Sequence, residues 1–180
     1  GLNHFYLVPA TGGFPERLKV PYGELGSFSG DGKQLAYVTK ITENYPFKRY
    51  RGGNSSDIIV YDLQTDKAVN ITGNKAIDGK PAWVGSSIYF LSDRDENMRL
   101  NIWRHDTGTG KTEQITKMAD FDIVYMSAGP SDIVFECGGR LYLMDLKTHQ
   151  PKPVDVKVVS DLSVEIPRRV DVSRQINDAA

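Results

Sequence analysis

Residues 106–116 read DTGTGKTEQIT and bring together Gly108, Gly110, Lys111 and Thr112, the residue types that cradle phosphate in nucleotide hydrolases. That chemistry needs glycines that let backbone amides approach the phosphates, a lysine for the terminal phosphates and a hydroxyl for magnesium. The spacing also requires a glycine five places before Gly110, where His105 stands. A phosphate loop must open a helix, yet TEQIT reads as a strand. The segment DLQTDKAVNIT, residues 62–72, has the same length and shares Asp, Thr, Lys, Ile and Thr in place without either glycine. Residues 106–116 therefore read as a hairpin turn, with Lys111 facing solvent and Ile115 packed in the core.

DRDENM, residues 93–98, imitates the start of a calcium loop through Asp93, Asp95 and Asn97. Such a loop needs glycine at its sixth position and a bidentate glutamate at its twelfth; Met98 and Arg104 occupy them. His4, His105 and His149 are dispersed, with no Cys or acidic spacing typical of metal ligands. Cys137 is the single cysteine, so no internal disulfide framework forms, and it reads as a small strand residue. No G-x-S-x-G elbow is present. These segments supply no catalytic residue, metal ligand or cofactor site.

One connection differs from the others. ITENYPFKRYRGGNSS, residues 41–56, interleaves Tyr45, Phe47 and Tyr50 with Lys48, Arg49 and Arg51. Basic residues among aromatics suit single-stranded nucleic acid, but one such loop on a near-neutral chain is better read as packed over a rim or against a neighbour. Arg49 and Arg51 stand as candidate substrate-binding cations within it.

The elements that must position these residues repeat. DIIVYDLQTDKAVNIT (57–72), NIWRHDTGTGKTEQIT (101–116) and RLYLMDLKTHQPKPVDV (140–156) align on Asp62, Asp106 and Asp145. Upstream of each lies a matching strand pair, in GSFSGDGKQLAYVTK, PAWVGSSIYFLSD and YMSAGPSDIVFEC. Short alternating apolar runs punctuated by Gly, Asp, Asn, Ser and Pro mark an all-β chain. A period near 40 with four strands per unit marks a β-propeller blade. The expectation is about three and a half four-stranded antiparallel blades: a half blade at 4–20, then blades at 24–73, 78–117 and 120–158. A tail at 159–180 offers one further strand and a linker.

Three and a half blades do not close a ring. The chain is a fragment, or two copies complete a ring, or the open faces find another partner; its natural start is expected upstream of Gly1. Composition is ordinary for a globular chain of 180 residues, 39% hydrophobic and 25% charged, with a formal charge of -1. That balance points to no nucleic-acid partner, and no apolar run reaches the length of a membrane span. The single cysteine fits the cytoplasm, with the periplasm left open.

FKRYRGGNSSDIIVYDL, PAWVGSSIYFLSDRD, NIWRHDTGTGKTEQIT, FDIVYMSAGPSDIVFECGGRLYLMDL and IPRRVDVSRQI resemble the first propeller of tricorn-type proteases, with YRGG the most specific piece. SGDG, residues 29–32, is similar to the SPDG turn of such propellers, with Gly30 at the usual proline. The resemblance places the chain in the later half of a six-bladed propeller, ahead of a seven-bladed one and a catalytic part with a PDZ-like domain. The catalytic serine and histidine then lie elsewhere, and this chain is a non-catalytic module for peptide passage or domain assembly. Its implied partners are peptides, the remainder of the parent protease, or a second copy through open blade faces. The family's hold on a peptide's C-terminal carboxylate maps to Lys33-Gln34, of which only Lys33 is basic. Two alternatives stay open: a free-standing module similar to TolB-type propellers that binds a protein partner, and the propeller cap of a prolyl-oligopeptidase-like hydrolase.

Overall fold

A computed structural model describes residues 3–40, 48–157 and 159. Tyr45 and Phe47 of the long connection and the tail from residue 160 lie outside the described residues. The fold is all-β and propeller-like. A short hairpin, β1 (Tyr6–Leu7) with β2 (Glu16–Arg17), precedes three four-stranded antiparallel sheets. The first contains β3 (Glu24–Phe28), β4 (Gln34–Val38), β5 (Ile58–Asp62) and β6 (Lys67–Asn70). The second contains β7 (Asp78–Val84), β8 (Ser87–Ser92), β9 (Asn101–Asp106) and β10 (Thr112–Gln114). The third contains β11 (Ile123–Ala128), β12 (Asp132–Cys137), β13 (Arg140–Asp145) and β14 (Pro151–Pro153). Strands neighbour one another in sequence order within each sheet.

Alternation along the strands sorts side chains between the two faces of each blade. In β4, Leu35 and Tyr37 join Val20 and Tyr61 against the N-terminal hairpin, while Ala36 and Val38 join Ile58 towards the second blade. All six residues of β8 are buried because both of its faces are covered. Ile88 and Phe90 pack towards the first blade, and Tyr89 and Leu91 towards the third. Such a strand reads as a continuous apolar run rather than an alternating one. In β12, Ile133, Phe135 and Cys137 are buried against the second blade. The opposite face of that last blade exposes Tyr125, Val134, Leu141 and Leu143. Register places these together: Val134 pairs with Leu143, and Glu136 pairs with both Tyr125 and Leu141.

The aligned aspartates prove to be turn caps. Asp62 accepts bonds from the amides of Gln64 and Thr65 at 3.0 and 2.8 Å. Asp106 does the same for Gly108 and Thr109 at 3.2 and 2.8 Å, and Asp145 for Lys147 and Thr148 at 2.9 and 2.7 Å. These bonds hold all three carboxyls below the usual aspartate range. Four residues after each aspartate the chain turns left-handed, at Asp66 (φ 57°), Gly110 (φ 71°) and His149 (φ 55°). Asp and His are among the non-glycine residues that tolerate this region, so one turn is spelled three ways. Gly110 thus serves a hairpin, Lys111 is exposed, and Ile115 packs against the core formed by the second and third blades.

Glycine is dictated by contact at position 23, where any Cβ would collide with the rings of Tyr37 and Phe5. Those rings meet edge to face, 5.6 Å between centroids at 70°. The first strands of the blades carry bulges that the apolar pattern does not announce. Register shifts between Glu24 and Ser27, between Gly79 and Ala82, and between Ile123 and Tyr125. The first two contain Leu25 and Lys80 at φ 50° and 51°. Bulges of this kind kink a strand and redirect its side chains.

Candidate functional site

β4 runs from Gln34 to Val38, so the β3–β4 turn and the long β4–β5 connection lie at opposite ends of the blade. At a rise of about 3.3 Å per residue, the strand separates them by roughly 17 Å. Lys33 occupies the first end, and Arg49 and Arg51 the second. The three candidate cations do not converge on one ligand.

Lys33 is exposed in a turn built by its neighbours. Asp31 accepts from the Ser29 hydroxyl at 2.7 Å and from the Lys33 amide at 3.1 Å. The same two bonds, Ser29 first, hold the Asp31 carboxyl below its ordinary value. The Lys33 carbonyl accepts the Leu63 amide at 2.9 Å, tying this turn to the next one on the same end of the blade. The backbone is fixed and the ammonium is offered to solvent on a flexible stem.

Arg51 is held differently. Its Nη1 donates to both carboxylate oxygens of Asp93 at 2.9 Å, and its Nη2 donates to the Asp93 carbonyl at 2.7 Å. Asp93 belongs to the second blade, is 1% exposed, and also accepts the Ile77 amide at 2.8 Å. Arg49 reaches further, to Asp122 at the entry of the third blade, with Nη2 2.9 Å from Oδ1. Lys48 joins the same carboxylate at 3.2 Å, and the Leu100 amide donates to it at 2.9 Å. Burial by itself would raise the Asp122 carboxyl. The Leu100 amide and the Lys48 and Arg49 cations outweigh burial and hold it below the usual range.

A third pair completes this end of the stack. Arg94 donates to Asp78 at 2.7 Å and to the Ser92 hydroxyl at 2.9 Å, lying about 5 Å over the rings of Phe90 and Trp103. Asn74 donates to the other Asp78 oxygen at 2.8 Å. Here burial wins and lifts the Asp78 carboxyl above its ordinary value, with Arg94, Ser92 and Asn74 opposing. These carboxylates bind cations and amides of the protein itself: Asp93 and Asp122 latch the first-blade connection to the second and third blades, and Asp78 is paired with Arg94 within the second.

The calcium-like turn is engaged in the same way. Asp93 is bound by Arg51, and Asp95 accepts the Gln114 side chain at 2.7 Å. Met98 takes a left-handed conformation, φ 50°, where a calcium loop has glycine. Among the described residues, no group of three or more His, Cys, Asp or Glu is placed to hold a metal. His105 bonds Thr112 at 2.9 Å and burial pushes its pKa down; His149 bonds Tyr89 at 3.1 Å, from the third blade to the second. Cys137 is buried, and desolvation pushes its thiol up, away from nucleophilic character. Asp78, Asp93 and Asp122 as cation partners escape a reading of the sequence. The available signal is the cation run 48–51 facing acid-containing turns in the two later repeats.

Comparison with known proteins agrees with this architecture. Residues 1–150 match the profile of the Tricorn protease N-terminal beta propeller domain. A Tricorn protease homolog of Saccharolobus solfataricus is 23% identical over 177 residues, 97% of this chain and 16% of that protein. The crystal structure of the tricorn protease superposes with a TM-score of 0.71 at 21% identity, over 89% of this chain and 15% of the other. A TolB-type structure from Agrobacterium tumefaciens gives a TM-score of 0.66 at 23% identity, over 83% and 55%. This chain thus spans about a sixth of the tricorn relatives' length, and the structural likenesses bear on fold.

Proposed function

Because the chain belongs to the tricorn protease N-terminal β-propeller family, we propose that it is a non-catalytic propeller module of a larger tricorn-like serine peptidase. Its role in this reading is peptide passage to or from a distant active site, or assembly of the domains around that site. The observation that carries the reading is the family match joined to an apolar blade face that is exposed among the described residues. Tyr125, Val134, Leu141 and Leu143 form a surface of the kind that blades bury against one another. The remainder of the parent protein, or a second copy of this chain, would bury it.

Lys33 is the residue through which this module would meet a peptide's C-terminal carboxylate, as an exposed cation on the end opposite the latches. Arg49 and Arg51 would influence peptide binding through the loop they pin, since their guanidinium groups are engaged with Asp122 and Asp93. The test is a titration with paired peptides, one ending in a free carboxylate and one amidated. Stronger binding of the free form, weakened several-fold in Lys33→Gln, supports the reading; equal binding of the two forms removes Lys33 from it. Peptidase assays on this chain should read blank, and hydrolysis that survives repurification would overturn the non-catalytic assignment. The free-standing TolB-like binding module remains the second reading; it shares this fold and predicts a folded partner protein rather than a peptide end.

A further inference from the structure

We infer that residues 48–56 form a clasp that couples the first blade to the third directly, past the second, and so fixes the angle across all three. In stacked repeats each unit ordinarily contacts only its neighbours, and stability is a sum of nearest-neighbour interfaces. The clasp breaks that rule at one end of the stack. It leaves the first blade, meets the second at Asp93 through Arg51, and meets the third at Asp122 through Lys48 and Arg49.

Exposed ion pairs contribute little, but these differ. Asp93 and Asp122 have side chains 1% and 6% exposed, and each also accepts a backbone amide, from Ile77 and Leu100. Arg51 grips Asp93 through three bonds that include its carbonyl, a planar fork geometry that lysine cannot reproduce. The loop is braced from within: Ser55 Oγ donates to the Lys75 carbonyl at 3.1 Å and accepts the Gly52 amide at 3.3 Å. Ser56 anchors its end, with Oγ donating to the Asp78 carbonyl at 2.5 Å and its carbonyl accepting the Asp78 amide at 3.0 Å. Among the three described blades the first has the longest link between its second and third strands, residues 39–57; the corresponding links are 93–100 and 138–139. Length is required because the loop must cross the second blade to reach Asp122.

Hydrogen exchange on the full chain tests the clasp, comparing the wild type with Arg49→Ala and with a within-blade control, Glu113→Gln, which removes the Arg104–Glu113 pair. Arg49→Ala should accelerate amide exchange in β11 and at Leu100 about tenfold, leaving the N-terminal hairpin unchanged. The control should leave β11 exchange at its wild-type rate. A double-mutant cycle of Arg49→Ala with Asp122→Asn should show the two changes coupled rather than additive in the unfolding equilibrium. Acceleration confined to residues 48–57, or additive effects in the cycle, overturns the inference. If Arg49→Ala does not fold, Arg49→Lys keeps the charge but loses the paired Nη1 and Nη2 bonds to Asp122, each 3.1 Å to Oδ2, and β11 exchange should then be intermediate. Wild-type exchange in the lysine variant would equally refute the clasp.

Discussion

Truncating one side chain on each face of the stack distinguishes a covered blade face from an open one. Phe90 is 0% exposed in the core between the first and second blades, packed with Ala36, Val38, Ile58 and Ile88. Phe90→Ala removes a ring from a site closed on all sides, at a cost of about 3–5 kcal/mol. Leu143 sits on the last blade with 43% of its surface exposed. Complete burial of a leucine contributes about 1.5–3 kcal/mol, so truncating one that is only partly buried should cost about 1 kcal/mol. Urea unfolding followed by the fluorescence of Trp83 and Trp103, which pack against the Phe90 cluster, measures both. In dilute protein the first variant should lose several times more stability than the second. At higher concentration, self-association through the open face should stabilise the wild type, and Leu143→Ser should lose that gain. Equal costs for Phe90→Ala and Leu143→Ala in dilute monomer would mean that the last face is already covered, and the account of an open stack would fail.

Two further outcomes follow from the N-terminal half of the chain. Tyr61 donates to Asp66 at 2.6 Å, and that bond, with burial and the nearby charge, pushes its phenol up to about 12. Its folded pKa lies above the unfolded value near 10, so the stability it contributes is full below pH 10 and is lost as pH rises towards 12. Burial also raises Tyr37 and Tyr89, so alkaline absorbance titration should show several late tyrosines, one of which moves earlier in Asp66→Asn; an unmoved titration would sink the assignment. Gly23→Ala should destabilise the junction between the hairpin and the first blade, because its methyl group enters the rings of Tyr37 and Phe5. A melting temperature unchanged from wild type would show that those rings can move aside.

The strands and their period were legible in the chain itself, because they depend on local chemistry. Alternation decides which side chains share a blade face, and an aspartate two residues ahead of free amides caps a turn wherever it occurs. That is why Asp62, Asp106 and Asp145 marked the repeat, and why residues 106–116 could be recognised as a hairpin despite their phosphate-loop spelling. The resemblance of YRGG and the blade strands to tricorn-type propellers was likewise carried by contiguous residues. Other features depended on the tertiary structure. Arg51 and Asp93 are 42 residues apart and Arg49 and Asp122 are 73 apart, so no local pattern pairs them. The opposite placement of Lys33 and the two arginines follows from the direction of β4, and the left-handed bulge positions fall on Leu25 and Lys80, residue types that do not announce them. Sequence determined the blades because each is built from neighbouring residues; tertiary structure decided how they are latched, because charges meet across whatever distance the fold closes.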